Sequence, residues 1–456
     1  MYSNPFLQGN YAPIFEENYF ENITSIIGEI PQELNGVLYR NGPNPLFPDN
    51  LKHWFEGDGM LHMFSIANGK ISYRNRWIAT ERFNLEREAG KMLIRGFRDP
   101  SPEEPTNISS RTTANTNIIQ HGGKLLALQE TACSIEMNPL DLTTKGMWDF
   151  GGQIPQMSAH PHFDAATGAM HNFAYTPGSN DLAYFIFDKD GAIKKTEGIS
   201  APFSSFLHDF FITKDYALFP VHPLTFDMKR PKQGKSILMW EPDLGSHLGI
   251  LPHHGKANDV IWLSMNPCYV FHYMNAYQEG NKIILDGLKT KRANFFPDAN
   301  GKIAEPGESP PELTRWTINL EQKKVTEQKL DSTPAEFPRF DERLTGLPYR
   351  HGFVAARVGS ITKLGFNAIV HYDLKNNTQT IRDFGEESMV SEPVFVPRQK
   401  NSPEGDGFIL AVVYVPERNA SDLYILDAMN IDKEPLAIVQ LTQRVPNGFH
   451  GNWYDF

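Results

Sequence analysis

Met63-Phe64-Ser65-Ile66-Ala67-Asn68-Gly69-Lys70-Ile71-Ser72-Tyr73 is an apolar run, a short Asn-Gly turn and a returning run in which apolar and polar residues alternate. That pattern is the signature of two antiparallel strands joined by a tight turn. The same unit recurs around Ile135 to Trp148, Tyr184 to Thr196, Leu238 to Leu251, Trp316 to Val325, Val370 to Ile381 and Tyr424 to Val439. No signature dipeptide is shared, so the repeat is one of pattern rather than identity. A small antiparallel sheet must pack on its neighbours to bury both faces, and seven such units predict an all-β, seven-bladed β-propeller over residues 1–456 as a single domain. The competing architecture is a pair of β-sandwiches.

Thirty-five Gly and thirty-three Pro suit many short strands and tight turns better than long helices, and helical periodicity is scarce. The lead to about Ile23 is polar, and Arg40-Asn41-Gly42-Pro43-Asn44-Pro45 reads as a lead-in segment before the first unit. Gly96 to Asn107, Pro297 to Pro311 and Pro397 to Gly407 read as surface loops. A net charge of -11 argues against nucleic acid and anionic membranes, which require clustered Lys and Arg. Cys133 and Cys268 show no CxxC spacing, and buried free thiols in a reducing cytosol are expected. The N-terminus lacks a basic and then apolar leader, and no apolar run approaches the roughly 18 residues of a membrane span. The expectation is a cytoplasmic protein with a small or neutral ligand.

Four short apolar and aromatic segments each carry a histidine: Ser158-Ala159-His160-Pro161-His162-Phe163-Asp164, Phe206-Leu207-His208-Asp209-Phe210, Val270-Phe271-His272-Tyr273-Met274-Asn275 and Gly448-Phe449-His450-Gly451-Asn452. Only a closed radial fold brings segments so far apart together, which favours the propeller over the sandwiches. His208 is expected in a strand Phe206 to Thr213 and His272 in a strand Tyr269 to Tyr277. An unpaired imidazole among aromatics is costly, so each has a private partner or they share a metal. A set of neutral imidazoles suits iron, zinc or copper. Carboxylates are then expected behind the ligands, accepting their outer N–H groups. Glu130, Glu336 and Glu392 lie in suitable strand or turn contexts, with solvated strand ends as the alternative. Glu56-Gly57-Asp58-Gly59-Met60 lacks a phosphate-binding pattern and reads as a tight turn. His53, His62, His253 and His254 are further ligand candidates that spacing alone does not exclude. No GxSxG or HExxH motif is present.

The chain resembles the carotenoid cleavage oxygenases, a family that includes stilbene-cleaving enzymes and a retinoid isomerase. The resemblance rests on Asn4-Pro5-Phe6-Leu7, Gly9-Asn10-Tyr11-Ala12-Pro13, Leu34-Asn35-Gly36, Arg40 to Pro45, Phe55 to Met60, Asn115-Thr116-Asn117 and the four histidine segments, in order. It implies a seven-bladed propeller with a loop and short-helix cap over one face, and one Fe(2+) per chain on the propeller axis. By motif, the implied ligands are His160, His208, His272 and His450, and His162 is left out only by the resemblance. Glu130, Glu336 and Glu392 match carboxylates that hold His208, His272 and His450, and Thr116 matches a residue whose methyl narrows an open iron position. The implied reaction splits a conjugated C=C bond with O2 into two carbonyl products, with no catalytic residue beyond the iron centre.

Stilbene-cleaving members hold the phenol with a tyrosine and a lysine, and the matching positions here are Phe97 and Gln129. That loss of charge-assisted hydrogen bonding points first to a carotenoid or apocarotenoid, with Phe55, Phe97, Gln129 and Phe271 lining the site, and second to a stilbene. A non-cleaving isomerase or a binding propeller is a further alternative. Carotenoids reside in membranes, so an apolar rim at Leu46-Phe47-Pro48 and Trp54, making a peripheral membrane contact, is implied; the alternative is that these residues pack under the cap.

Overall fold

The computed structural model describes residues 4–94 and 108–456. Asn68 and Gly69 both have positive φ, +52° and +71°, which is the backbone of a type I′ turn and matches the twist of the flanking strands. Gly59–Ala67 and Lys70–Trp77 accordingly pair in register from Met60↔Trp77 to Ala67↔Lys70. Alternate residues of Lys70–Trp77 are buried, whereas all of Gly36–Pro43 is buried because that strand has a partner on each side.

Two compact units divide the chain, one of Met1–Ala159, Asn367–Ile369 and Thr380–Phe456, the other of His160–Phe366 and Val370–Gln379. The first carries a five-stranded sheet in the order Tyr19–Phe20, Lys70–Trp77, Gly59–Ala67, Gly36–Pro43, Gly451–Asp455. It also carries a four-stranded meander, Asn117–His121 to Thr144–Trp148, and a six-stranded sheet in which Ile26–Gly28 pairs with Ala437–Gln440. The second carries three four-stranded sheets, which begin at His162–Phe163, Phe211–Ile212 and Tyr269–Glu279, a two-stranded ribbon, and the first two strands of a further four-stranded sheet, which begins at Ala335–Phe340. These seven larger sheets are the blades of the predicted seven-bladed β-propeller. Glu81–Ala89 is the one α-helix among the described residues, capped by the Thr80 hydroxyl and closed by Gly90 at φ +68°.

Each unit has its own core. Leu38, Phe64, Phe408, Leu410, Leu423 and Val439 pack in the first, and Phe173, Tyr184, Phe210, Phe219 and Leu251 in the second. Each such side chain contributes about 1.5–3 kcal/mol when fully buried. Cys133 and Cys268 are buried free thiols, as expected. No helix among the described residues is long and apolar enough to cross a membrane.

Six of the seven predicted hairpins are found. Leu238 to Leu251 is not a hairpin: Leu238–Trp240 pairs with Leu224–Phe226, while Ser246–Pro252 pairs with Tyr216–Val221 and Ile261–Met265. The short 3-10 turn Pro242–Leu244 and Gly245 at φ +66° send the chain to a different sheet. The strand predicted over Phe206 to Thr213 shrinks to Phe211–Ile212, and His208 lies on the segment ahead of it. Arg40 to Pro43 is not a lead-in but part of a central strand. Pro297 to Pro311 and Pro397 to Gly407 are loops between strands; Gly96 to Asn107 falls outside the described residues.

Candidate metal centre

In the second unit three histidines approach one another from the first strands of three sheets. His160 lies just before His162–Phe163, His208 just before Phe211–Ile212, and His272 within Tyr269–Glu279, where the register to the neighbouring strand shifts on both sides of Tyr273. The His208 Nε2 is 3.1 Å from the His160 Nε2 and 3.3 Å from the His272 Nε2. Glu336 fixes the protonation of His272: its Oε2 accepts the Nδ1–H at 2.6 Å, which leaves a lone pair on Nε2. A proton on the His208 Nε2 points at only one of its two neighbours and leaves the other contact without a hydrogen bond. A cation among the three satisfies both.

The spacing fits a metal, since bonds of about 2.1 Å place two nitrogens about 3.0 Å apart at a right angle and about 3.4 Å apart at the tetrahedral angle. Glu336 fits as well. Its Oε1 is buried with no hydrogen-bond partner among the described residues, a carboxylate charge that a nearby cation would balance. Aromatic rings wall the histidines: Phe206 stacks on His208, Phe271 meets it edge-on at 5.2 Å, and Phe337 stacks on His272 at 5.4 Å. Phe337 holds φ +55°, a costly conformation for a bulky residue, and so brings its ring over the imidazole. Thr131, which follows Glu130, has the same left-handed backbone at φ +57°.

Four of the remaining histidine candidates, His162, His53, His62 and His253, have private partners. His162 faces Asp209 Oδ1 at 3.2 Å and packs on Phe211. The His53 Nδ1 accepts the Phe55 N–H, His62 pairs with the Tyr73 hydroxyl at 2.7 Å, and His253 lies between the Tyr184 hydroxyl and the Thr213 carbonyl. His254 is exposed. Burial holds the His62 imidazole down at a pKa of about 3, so it stays neutral. Asp58 in the Glu56 to Met60 turn accepts the Leu46 N–H at 2.9 Å, as a structural turn requires.

In the first unit His450 is buried and fixed on every side. Its Nδ1 donates to Glu392 Oε1 at 2.9 Å, and the following N–H of Gly451 donates to Glu392 Oε2 at 2.8 Å. Its own N–H donates to the Thr116 carbonyl at 3.2 Å, and its carbonyl accepts the Asn41 N–H at 2.8 Å. Glu392 is only 2% exposed. The Thr116 hydroxyl donates to Asn115 Oδ1 at 3.1 Å. Arg40, quoted in the sequence only as part of a motif, donates to the Glu392 and Phe449 carbonyls and so braces both segments.

The first unit also holds a cavity of about 560 Å³ lined by Phe55, Arg82, Thr112, Gln129, Glu130 and Cys133 among others. Gln129 has a defined orientation. Its Oε1 accepts the Thr113 N–H at 2.7 Å and the Thr112 hydroxyl at 2.9 Å, and because a backbone N–H only donates, the opposite end is the amide nitrogen. Arg82 is 4% exposed and pairs with Glu86 through Nε at 3.5 Å. Phe97 lies outside the described residues, and Phe271 belongs to the second unit, beside His208. Leu46 and Trp54 are half-buried: Leu46 packs with Met60, Trp77 and Phe83, and the Trp54 indole donates to the Asn447 carbonyl and contacts Phe449.

Whole-chain comparison defines the class first: this is the fold of the propeller oxygenases. A lignostilbene dioxygenase of Pseudomonas brassicacearum superposes with a TM-score of 0.94 at 34% identity, covering 100% of this chain and 99% of that one. An isoeugenol monooxygenase of Pseudomonas nitroreducens is 35% identical over 99% of this chain and 98% of its own length. Lignostilbene-alpha,beta-dioxygenase isozyme III of Sphingomonas paucimobilis is 35% identical, covering 94% and 92%, and carotenoid cleavage oxygenase 1 of Neurospora crassa 31%, covering 98% and 90%. The family described as retinal pigment epithelial membrane protein matches residues 11–455. The chain belongs to this family, the carotenoid cleavage oxygenases.

Proposed function

We propose that the protein is an iron(II)-dependent oxygenase that splits the C=C bond of an aryl-conjugated olefin, of the stilbene or propenylbenzene type, into two carbonyl products. One olefin and one O2 give two carbonyls, so no external reductant is consumed. The observation that carries the reading is the convergence of the His160, His208 and His272 Nε2 atoms with a lone pair fixed on His272. His450 is the fourth ligand by its motif, supported by the Glu392 carboxylate that holds its Nδ1 proton and leaves a lone pair on Nε2. Glu336 and Glu392 hold the Nδ1 protons of His272 and His450, and Glu130 is assigned the same task for His208. These imidazoles would hold iron(II), which would supply O2 activation when bound. Phe206, Phe271 and Phe337 keep water from the centre, and Thr116 limits access beside His450.

The substrate order reverses the first expectation from sequence. Relatives named for isoeugenol and lignostilbene share 35% identity with this chain, against 31% for the Neurospora carotenoid enzyme. Gln129 replaces a lysine but lines the cavity with Arg82 and Thr112 and, with its oxygen anchored, keeps an amide donor, which supports polar recognition of an aryl oxygen. A carotenoid or apocarotenoid is the second reading, supported by the aromatic lining around His208. The test is to incubate iron-loaded protein in air separately with a para-hydroxystilbene, isoeugenol and a long apocarotenal, and to identify products by mass spectrometry. Benzaldehydes from the aryl olefins support the reading. Aldehydes from the apocarotenal alone replace it with the second.

A further inference from the structure

We propose that Asp209 is a positioning residue that sets the three-histidine array and decides which of His160 and His162 can be a ligand. The inference rests on the reading of His160, His208 and His272 as ligands. Asp209 is 4% exposed, and its two carboxylate oxygens reach all three histidine segments. Its Oδ1 accepts the Phe210 N–H at 2.8 Å, fixing the rotamer on its own segment, and faces the His162 Nε2 at 3.2 Å. Its Oδ2 accepts the Tyr273 N–H at 3.0 Å. The ties therefore fall two residues beyond His160, one beyond His208 and one beyond His272. Tyr273 is also held at its far end, where its hydroxyl meets the His222 Nε2 at 2.9 Å. His272 is thus constrained through its ring by Glu336 and through its backbone by Asp209.

The selection follows from strand geometry. Residues two apart on an extended segment project to the same side, so backbone direction does not separate His160 from His162. Their partners do. The His160 Nε2 points at the His208 Nε2, whereas the His162 Nε2 points at Asp209 and its ring lies 4.1 Å from that of Phe211. Donating its Nε2–H to a carboxylate leaves His162 no lone pair at that atom for a metal. The same carboxylate that orders the array removes the competing imidazole from it.

The experiment loads wild type, Asp209→Ala, Asp209→Asn and His162→Gln with cobalt(II). It records the visible ligand-field spectrum, metal retention against a chelator and the melting temperature of the metal-free protein. Asp209→Ala is expected to change the spectrum and weaken retention tenfold or more. Asp209→Asn is expected to do so less, because its amide keeps one of the two accepting oxygens. His162→Gln retains the wild-type spectrum, since it removes no ligand and still presents a donor to Asp209. A wild-type spectrum and retention in Asp209→Ala overturns the proposal, and so does a changed spectrum in His162→Gln; if Asp209→Ala does not fold, Asp209→Asn decides by the same criterion. Failure of wild type to retain cobalt or iron would refute the metal reading itself.

Discussion

Removing the charge behind His272 gives the sharpest test of how the centre is held. Both donors to Glu336, the His272 Nδ1–H and the Phe337 N–H, use Oε2, at 2.6 and 2.9 Å, while Oε1 has no partner among the described residues. Glu336→Gln can therefore place its oxygen where Oε2 stands and its amide where Oε1 stands. Both hydrogen bonds survive and only the charge is lost. The cost is the difference between a charged and a neutral hydrogen bond, about 1 kcal/mol, or about fivefold to tenfold in iron affinity. Glu336→Ala strands both donors and should lose about 1.5–3 kcal/mol, roughly 10- to 150-fold. The assay is anaerobic iron(II) titration of stripped protein against a competing chelator. Refutation is an alanine variant that binds iron within twofold of wild type, or a glutamine variant as weak as alanine, which would mean that charge and not hydrogen bonding governs the site.

Two further outcomes are expected. A Cβ on Gly287 would meet the Tyr273 ring at 2.7 Å and the His272 carbonyl at 3.4 Å, so Gly287→Ala should destabilise by about 1–3 kcal/mol and lower iron retention; calorimetry and metal analysis check both. Burial keeps His62 and His222 neutral, each at a pKa of about 3, against about 6.5 in the unfolded chain. The unfolded state takes up protons below pH 6.5 that the native state refuses, so stability falls as pH drops from 6.5 towards 3 and is unaffected by these groups above 6.5. At pH 5 each should remove about 2 kcal/mol, seen as a lower urea midpoint than at pH 7.5, and His222→Gln should flatten that dependence.

The hairpins could be read where turn chemistry is local, as at Asn68-Gly69. They could not where two strands near in sequence belong to different sheets, because alternation gives the period of Leu238 to Leu251 but not its partners. The four histidine segments stood out by composition and order. His162 did not separate from His160, since the distinguishing contact comes from Asp209, 47 positions away in the chain. The left-handed backbone of Phe337 and the fixed amide of Gln129 are set by tertiary contacts and leave no trace in a propensity pattern. The fixed Gln129 amide also underlies the reversed substrate order. The missing lysine was visible in the sequence, whereas the orientation that keeps a donor available was not.

The pairing of Gly36–Pro43 with Gly451–Asp455, and of Ile26–Gly28 with Ala437–Gln440, has a kinetic side. Each closes a loop of about 400 residues, an entropy cost on the order of 5 kcal/mol before any contact is returned. Meanders such as Asn117–His121 to Thr144–Trp148 close over a few residues and can form early. His450 is the residue immediately before one of these late strands. Refolding should regain most of its β signal while the His450 environment is still unformed, and competence to retain iron should lag behind it.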